Sequence, residues 1–252
     1  MTVSIAIFFG VYIVLVVLAG WRGRRRRAFA VRIMRELLVG LVGPFPYRLP
    51  ANEDGNLLRL LGTATTQERR LLDDGFRPLG ELVYEAGPTI RAIVRVFVDA
   101  ADDTTCAWLT VVALPVAGLR PPTLSLTSYS DEKEFVTLLQ GEVRGAAKAP
   151  FVERQALGVD TPIADAKMKH RVFASRVAAH DALKHITDLA SVFRESERRH
   201  SIYAEWRRTQ PPDELLKSDL QGLLGSRYEK LGEKWIRMLT TGLPKAKVRR
   251  GG

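Results

Sequence analysis

Chemistry could begin at four histidines, one cysteine and a scatter of serine, aspartate and glycine, but their spacing argues against each familiar constellation. His170, His180, His185 and His200 fall in one stretch that reads as helix. A helical zinc site sets two histidines four residues apart with a glutamate between them, whereas the successive intervals here are ten, five and fifteen. His180 and His185 diverge by roughly 140° around a helix of 3.6 residues per turn, so all four are expected on the surface or at caps. Cys106 lies in the most apolar segment, residues 105–114, and is expected as inert packing rather than a thiolate.

Other motifs fail in the same way. No Gly-x-Ser-x-Gly elbow occurs, and Ser226 follows a glycine without that context. The run Gly141-Glu-Val-Arg-Gly145-Ala-Ala-Lys148 lacks the spacing and the Gly-Lys-Ser/Thr ending of a phosphate loop. Asp73-Asp74 and Asp102-Asp103 sit where helix ends or turns are expected, as solvated carboxylates. The sequence therefore assigns no catalytic residue, no metal ligand and no cofactor site.

Composition then bounds the class. The 252 residues are 46% hydrophobic and 26% charged, an ordinary globular balance. The formal charge of +10 would suggest nucleic acid, but it is terminal. Residues 1–50 carry +7 and residues 241–252 carry +4, leaving −1 for everything between. No nucleic-acid partner is expected. A lone cysteine excludes an internal disulfide framework and agrees with a reducing compartment.

The N-terminus gives the clearest signal. Residues 3–20 contain eighteen positions without a charge, and five arginines follow within the next seven. Eighteen helical residues span roughly 27 Å, close to the hydrocarbon thickness of a bilayer. Trp21 suits the interface. Arg22, Arg24, Arg25, Arg26 and Arg27 follow the apolar run, and only Met1 and Thr2 precede it. The positive-inside rule then leaves the N-terminus outside and the remaining chain cytoplasmic, with the arginines set against anionic headgroups. A cleaved signal peptide fits worse, because its positive segment should come first.

The organisation expected is a transmembrane anchor over 1–21, a basic juxtamembrane amphipathic helix over 22–43 and a linker over 44–56. A cytoplasmic α+β domain over 57–243 and a basic disordered tail over 244–252 follow. In 29–41, Phe29, Ile33, Leu37 and Leu41 share one helical face opposite Arg32, Arg35 and Glu36. Thr65 with Glu68 forms a capping-box pattern for a short helix that Gly75 would close. Residues 77–85, 89–98, 105–114, 123–129 and 135–139 read as strands joined by short connections, an antiparallel meander of four to five strands. Residues 165–207 contain neither Gly nor Pro and read as one long helix, though a break is plausible at that length. Two shorter helices are expected over 213–224 and 228–239.

By elimination, the reading is a single-pass, membrane-anchored cytoplasmic domain that acts as a non-enzymatic protein-interaction module. Its partners would be the bilayer and a protein bound at the sheet edge or the long helix, whose charges include Arg171, Arg176, Arg194, Arg198 and Arg199. The alternative is a membrane-proximal domain for a lipid or other apolar ligand, since a meander followed by a long helix can enclose a cavity; a solid core is the plainer expectation. An enzyme whose site is dispersed along the sequence ranks third.

Overall fold

The computed structural model describes residues 45–85, 91–114, 118–119, 122–140, 149–178, 181–211, 214–215 and 217–219. The expected anchor, the juxtamembrane helix, the second of the two shorter C-terminal helices and the basic tail lie outside these residues, and so does most of the first of those helices. Among the described residues no helix is long and apolar enough to cross a membrane.

The class is α+β. Strands β1 (Tyr47–Arg48), β2 (Phe76–Glu85), β3 (Arg91–Asp99), β4 (Cys106–Leu114), β6 (Thr123–Tyr129), β7 (Glu134–Leu139) and β8 (Val152–Leu157) form one sheet in the order β1-β2-β3-β4-β6-β7-β8. The two-residue β5 (Gly118–Leu119) pairs with β4 beside that path. The five expected strands are present and paired antiparallel. The sheet is nevertheless mixed, because β7 and β8 run parallel, with Val136 beside Arg154. A parallel neighbour needs a crossover instead of a tight turn, so local turn chemistry does not announce it.

Alternation sorts the side chains onto two faces. On the first, Val83, Ile93, Phe97, Ala107, Leu109, Leu124 and Leu126 join Leu57, Leu61 and Leu71 from the helical segment before β2, and Ile163 and Ala166 from the helix after β8. The former segment comprises α1 (Gly55–Leu60), a 3-10 turn (Leu61–Ala64) and α2 (Thr65–Asp73); the latter helix is α3 (Ile163–Ala178). The second face carries Leu82, Tyr84, Val94, Val96, Cys106, Trp108 and Leu138, all buried. Helix α4 (Leu189–Thr209) approaches it: a Cβ at Gly80 would lie 2.8 Å from Leu189 Cδ2, and Tyr129 Oη is 3.5 Å from Ser196 Oγ. Gly80 sits at a register shift in β2 with φ +143°, a conformation reserved for glycine.

The single long helix expected over 165–207 is two helices, α3 and α4. The first ends at Ala178, and Asp188 starts the second. It caps α4 by accepting from Ser191 N at 2.6 Å, while the Ser191 hydroxyl donates to Asp188 O at 2.7 Å. The expected cap of the helix before β2 also differs. Thr65 lies inside α2 with Ala64 at its N-cap, and Glu68 pairs with Arg95 at 2.6 Å. Gly75 closes that helix with φ +85°, as expected.

The stretch expected as linker carries β1 and the 3-10 turn Asn52–Asp54. Asp54 is fully buried and ties the stretch to the sheet. It accepts from Arg48 Nη1 at 2.5 Å, Arg91 Nη2 at 2.9 Å and Ala51 N at 2.8 Å. The Arg48 guanidinium holds this carboxyl down at about 2.

Candidate functional site

The first candidate is a serine–histidine pair. His170 lies on the inner side of α3 with Ile163, Ala166 and Ala174, the four buried positions of that helix. Its Nε2 is 2.9 Å from Ser128 Oγ on β6, and its Nδ1 is 2.7 Å from Thr137 Oγ1 on β7. Gln155 of β8 donates its amide to Thr137 Oγ1 at 2.8 Å.

That donation sets the order of protons. Thr137 accepts from Gln155 and gives its own hydrogen to Nδ1, so the neutral ring carries its proton on Nε2 and donates to Ser128. A nucleophilic serine needs the reverse, with the ring accepting the hydroxyl proton, and a third group that stabilises an imidazolium. Here that third group is a hydroxyl. Burial pushes the His170 pKa down to about 3, so the ring stays neutral. Ser128 and His170 are both fully buried, and substrate cannot reach them. The cluster pins α3 to the sheet.

Cys106 is a free, fully buried thiol that burial pushes well above its usual pKa. This agrees with inert packing. The histidine expectation needs correction: His170 and His200 are buried, whereas His185 is exposed. The ring of His200 lies 5.7 Å from that of Phe45. His180 lies outside the described residues.

The arginines expected to face a partner also divide. Arg199 is buried; it donates to Glu195 Oε1 at 2.9 Å, to Glu132 O at 3.0 Å and to Ser130 O, and so clamps the turn before β7. Arg171 reaches Asp99 at 2.5 Å and Asp102 at 2.7 Å. Arg198 is part exposed and donates to Asp131 O at 3.0 Å. Arg22, Arg24, Arg25, Arg26 and Arg27 lie outside the described residues. Among the described residues no group of three or more His, Cys, Asp and Glu could hold a metal ion.

The second candidate lies on the face turned toward α4. Tyr84 Oη, Trp108 Nε1, Thr110 Oγ1 and Ser125 Oγ are buried side-chain atoms without a hydrogen-bond partner. The register gathers them. Trp108 stands directly opposite Ser125, Thr110 is the next residue of β4 on the same face, and Tyr84 lies on that face of β2. Aromatic rings link the group: Tyr47 is 5.0 Å from Tyr84 and 6.1 Å from Trp108, and Phe45 is 5.5 Å from Tyr47 and 5.1 Å from Phe193 of α4.

An orphaned buried donor or acceptor costs about 1–3 kcal/mol. Four would cost roughly 4–12 kcal/mol, comparable with the whole stability of a domain at about 5–15 kcal/mol. Polar atoms at that density need something to bond. In the sequence each belongs to an ordinary strand residue, and only the register shows that they share a face.

Comparison of the chain with protein-family models, with curated proteins and with solved structures finds no match.

Proposed function

We propose that this chain is a single-pass, membrane-anchored protein whose cytoplasmic α+β domain is a non-enzymatic binding module. The withdrawal of the cysteine and of the serine–histidine pair from solvent supports the non-enzymatic part. Cys106, Ser128 and His170 are each fully buried, and the histidine is held neutral. A nucleophile or base that no substrate touches does no catalysis.

The anchor rests on the uncharged run over 3–20 and the arginines behind it. A protein partner is supported by the outer side of α3, where Met168 and Val172, one turn apart, are 57% and 55% exposed. The ligand-binding alternative is supported by the four orphaned polar atoms on the second face of the sheet.

Topology tests the anchor. A reporter fused after Gly252 should sit on the cytoplasmic side of membranes and resist a carbonate wash. Neutralising Arg24, Arg25, Arg26 and Arg27 should give mixed orientation. A wild-type reporter released by the wash would refute the anchor, and one found outside would refute its orientation; unchanged orientation in the neutral variant would refute the arginines as its determinant.

A further inference from the structure

We infer that the outer side of α3 pairs with the same side of a second copy of this chain, the two helices running antiparallel about a two-fold axis near residue 170. Four residues carry the inference. Asp165, Met168, Val172 and Arg176 are all exposed, and at 3.6 residues per turn they fall within about 80° of one another. The buried positions Ile163, Ala166, His170 and Ala174 occupy the opposite side and hold α3 on the sheet.

The order of the four exposed residues is self-complementary. Met168 and Val172 lie one turn apart, with their midpoint at residue 170. Asp165 and Arg176 lie three turns apart, with almost the same midpoint. A two-fold axis there sets Met168 against the second copy's Val172 and Asp165 against the second copy's Arg176, and each contact occurs twice. A parallel pairing would instead set Asp165 against Asp165 and Arg176 against Arg176, so the charges select the antiparallel one. The neighbouring cations do not compete for Asp165. Lys167 and Arg171, on the flank toward the end of β3, pair with Asp99. Lys169 lies at the edge of the arc, and its long side chain can turn to solvent. One helix pair is small beside the 1,200–2,000 Å² typical of a stable interface, roughly speaking. The association is therefore weak, and confinement of both copies to one bilayer raises their effective concentration.

The inference rests on the interaction-module reading and names its partner. The test uses the full chain in liposomes of dioleoylphosphatidylcholine, with donor and acceptor fluorophores fused after Gly252 on separate populations. Wild-type chains should show energy transfer that saturates with protein density, above that of randomly placed chains. Asp165→Arg or Arg176→Asp alone should weaken self-association at least about ten-fold, because each reversal turns two attractions into repulsions. Asp165→Arg combined with Arg176→Asp rebuilds the complement and should return to within about three-fold of wild type. Met168→Gln combined with Val172→Gln should remove the association. All four side chains are exposed, so melting temperatures should stay near that of wild type. Three results overturn the inference: wild-type transfer no higher than random; transfer unchanged in the folded single variants, which would assign the association to another part of the chain; or a double reversal as weak as the singles. The first of these leaves the module reading in place with a different partner. Failure to enter liposomes bears on the anchor instead, and sedimentation velocity of the full chain in detergent then requires the same order among the variants.

Discussion

Acidifying from pH 7 to about pH 4.5 should cost the folded domain about 2–3 kcal/mol through His170 alone. Burial brings the folded ring down to about 3, whereas an unfolded histidine titrates near 6.5. The unfolded chain therefore binds about one proton more across that interval. The stability is fully present above about pH 6.5 and is lost as pH falls, with a slope of about 1.4 kcal/mol per pH unit. Nearby Asp102 favours the proton and Arg171 opposes it, and burial outweighs both. Glu134 works the other way: its buried carboxyl is raised, so falling pH adds stability through it. The clean quantity is thus the difference between wild type and His170→Gln, whose amide can still meet Thr137 and Ser128. Urea denaturation of the full chain, followed by tryptophan fluorescence at several pH values, gives both curves. Wild type should lose about 2–3 kcal/mol more than His170→Gln between pH 6.5 and 4.5. Parallel curves would show that the ring is charged or solvated in the folded state, and the buried hydroxyl–imidazole chain would be wrong.

Two further outcomes follow from packing. Gly80→Ala should cost about 1–3 kcal/mol, because φ is +143° and the new Cβ would meet Leu189 Cδ2 at 2.8 Å. Leu189→Ala should recover only the steric share, so a double-mutant cycle of melting temperatures should show non-additivity, and a freely additive pair would deny the contact. Cys106 should resist iodoacetamide in the native chain and react fully in urea, since its thiol is buried and its pKa raised. Complete labelling within minutes under native conditions, read by intact mass, would place it at the surface.

The strands were legible because their apolar residues follow a period of two or fill both faces, as in 91–99 and 106–114. β8 was not, since Val152–Leu157 reads VERQAL, with only Val152 buried. Its parallel partner is set by tertiary packing that no turn signals. The run over 165–207 read as one helix because it lacks Gly and Pro, yet Asp188 followed by Ser191 was a cap signal in plain sight. The linker expected over 44–56 was misleading in another way. Its acidic and small residues look solvated until Arg48 of the same stretch and Arg91, 37 residues beyond, meet at Asp54.

The candidate sites were hidden more deeply. His170 sits between Lys169 and Arg171, a setting that suggests a wet surface, and its partners lie 42 and 33 residues away. Tyr84, Trp108, Thr110 and Ser125 come from three strands and share no motif. Only strand register brings their polar atoms to one face. Period-two patterning reveals which residues turn inward, but it does not say which inward polar atoms go without a partner.

The most direct test of a binding domain is the native mass of the full chain, extracted gently from membranes, set against its denatured mass. A small molecule retained natively and shed on denaturation is the result that a ligand-binding domain predicts. A bare chain mass under conditions where the fold is intact would contradict that reading and leave the protein-interaction module.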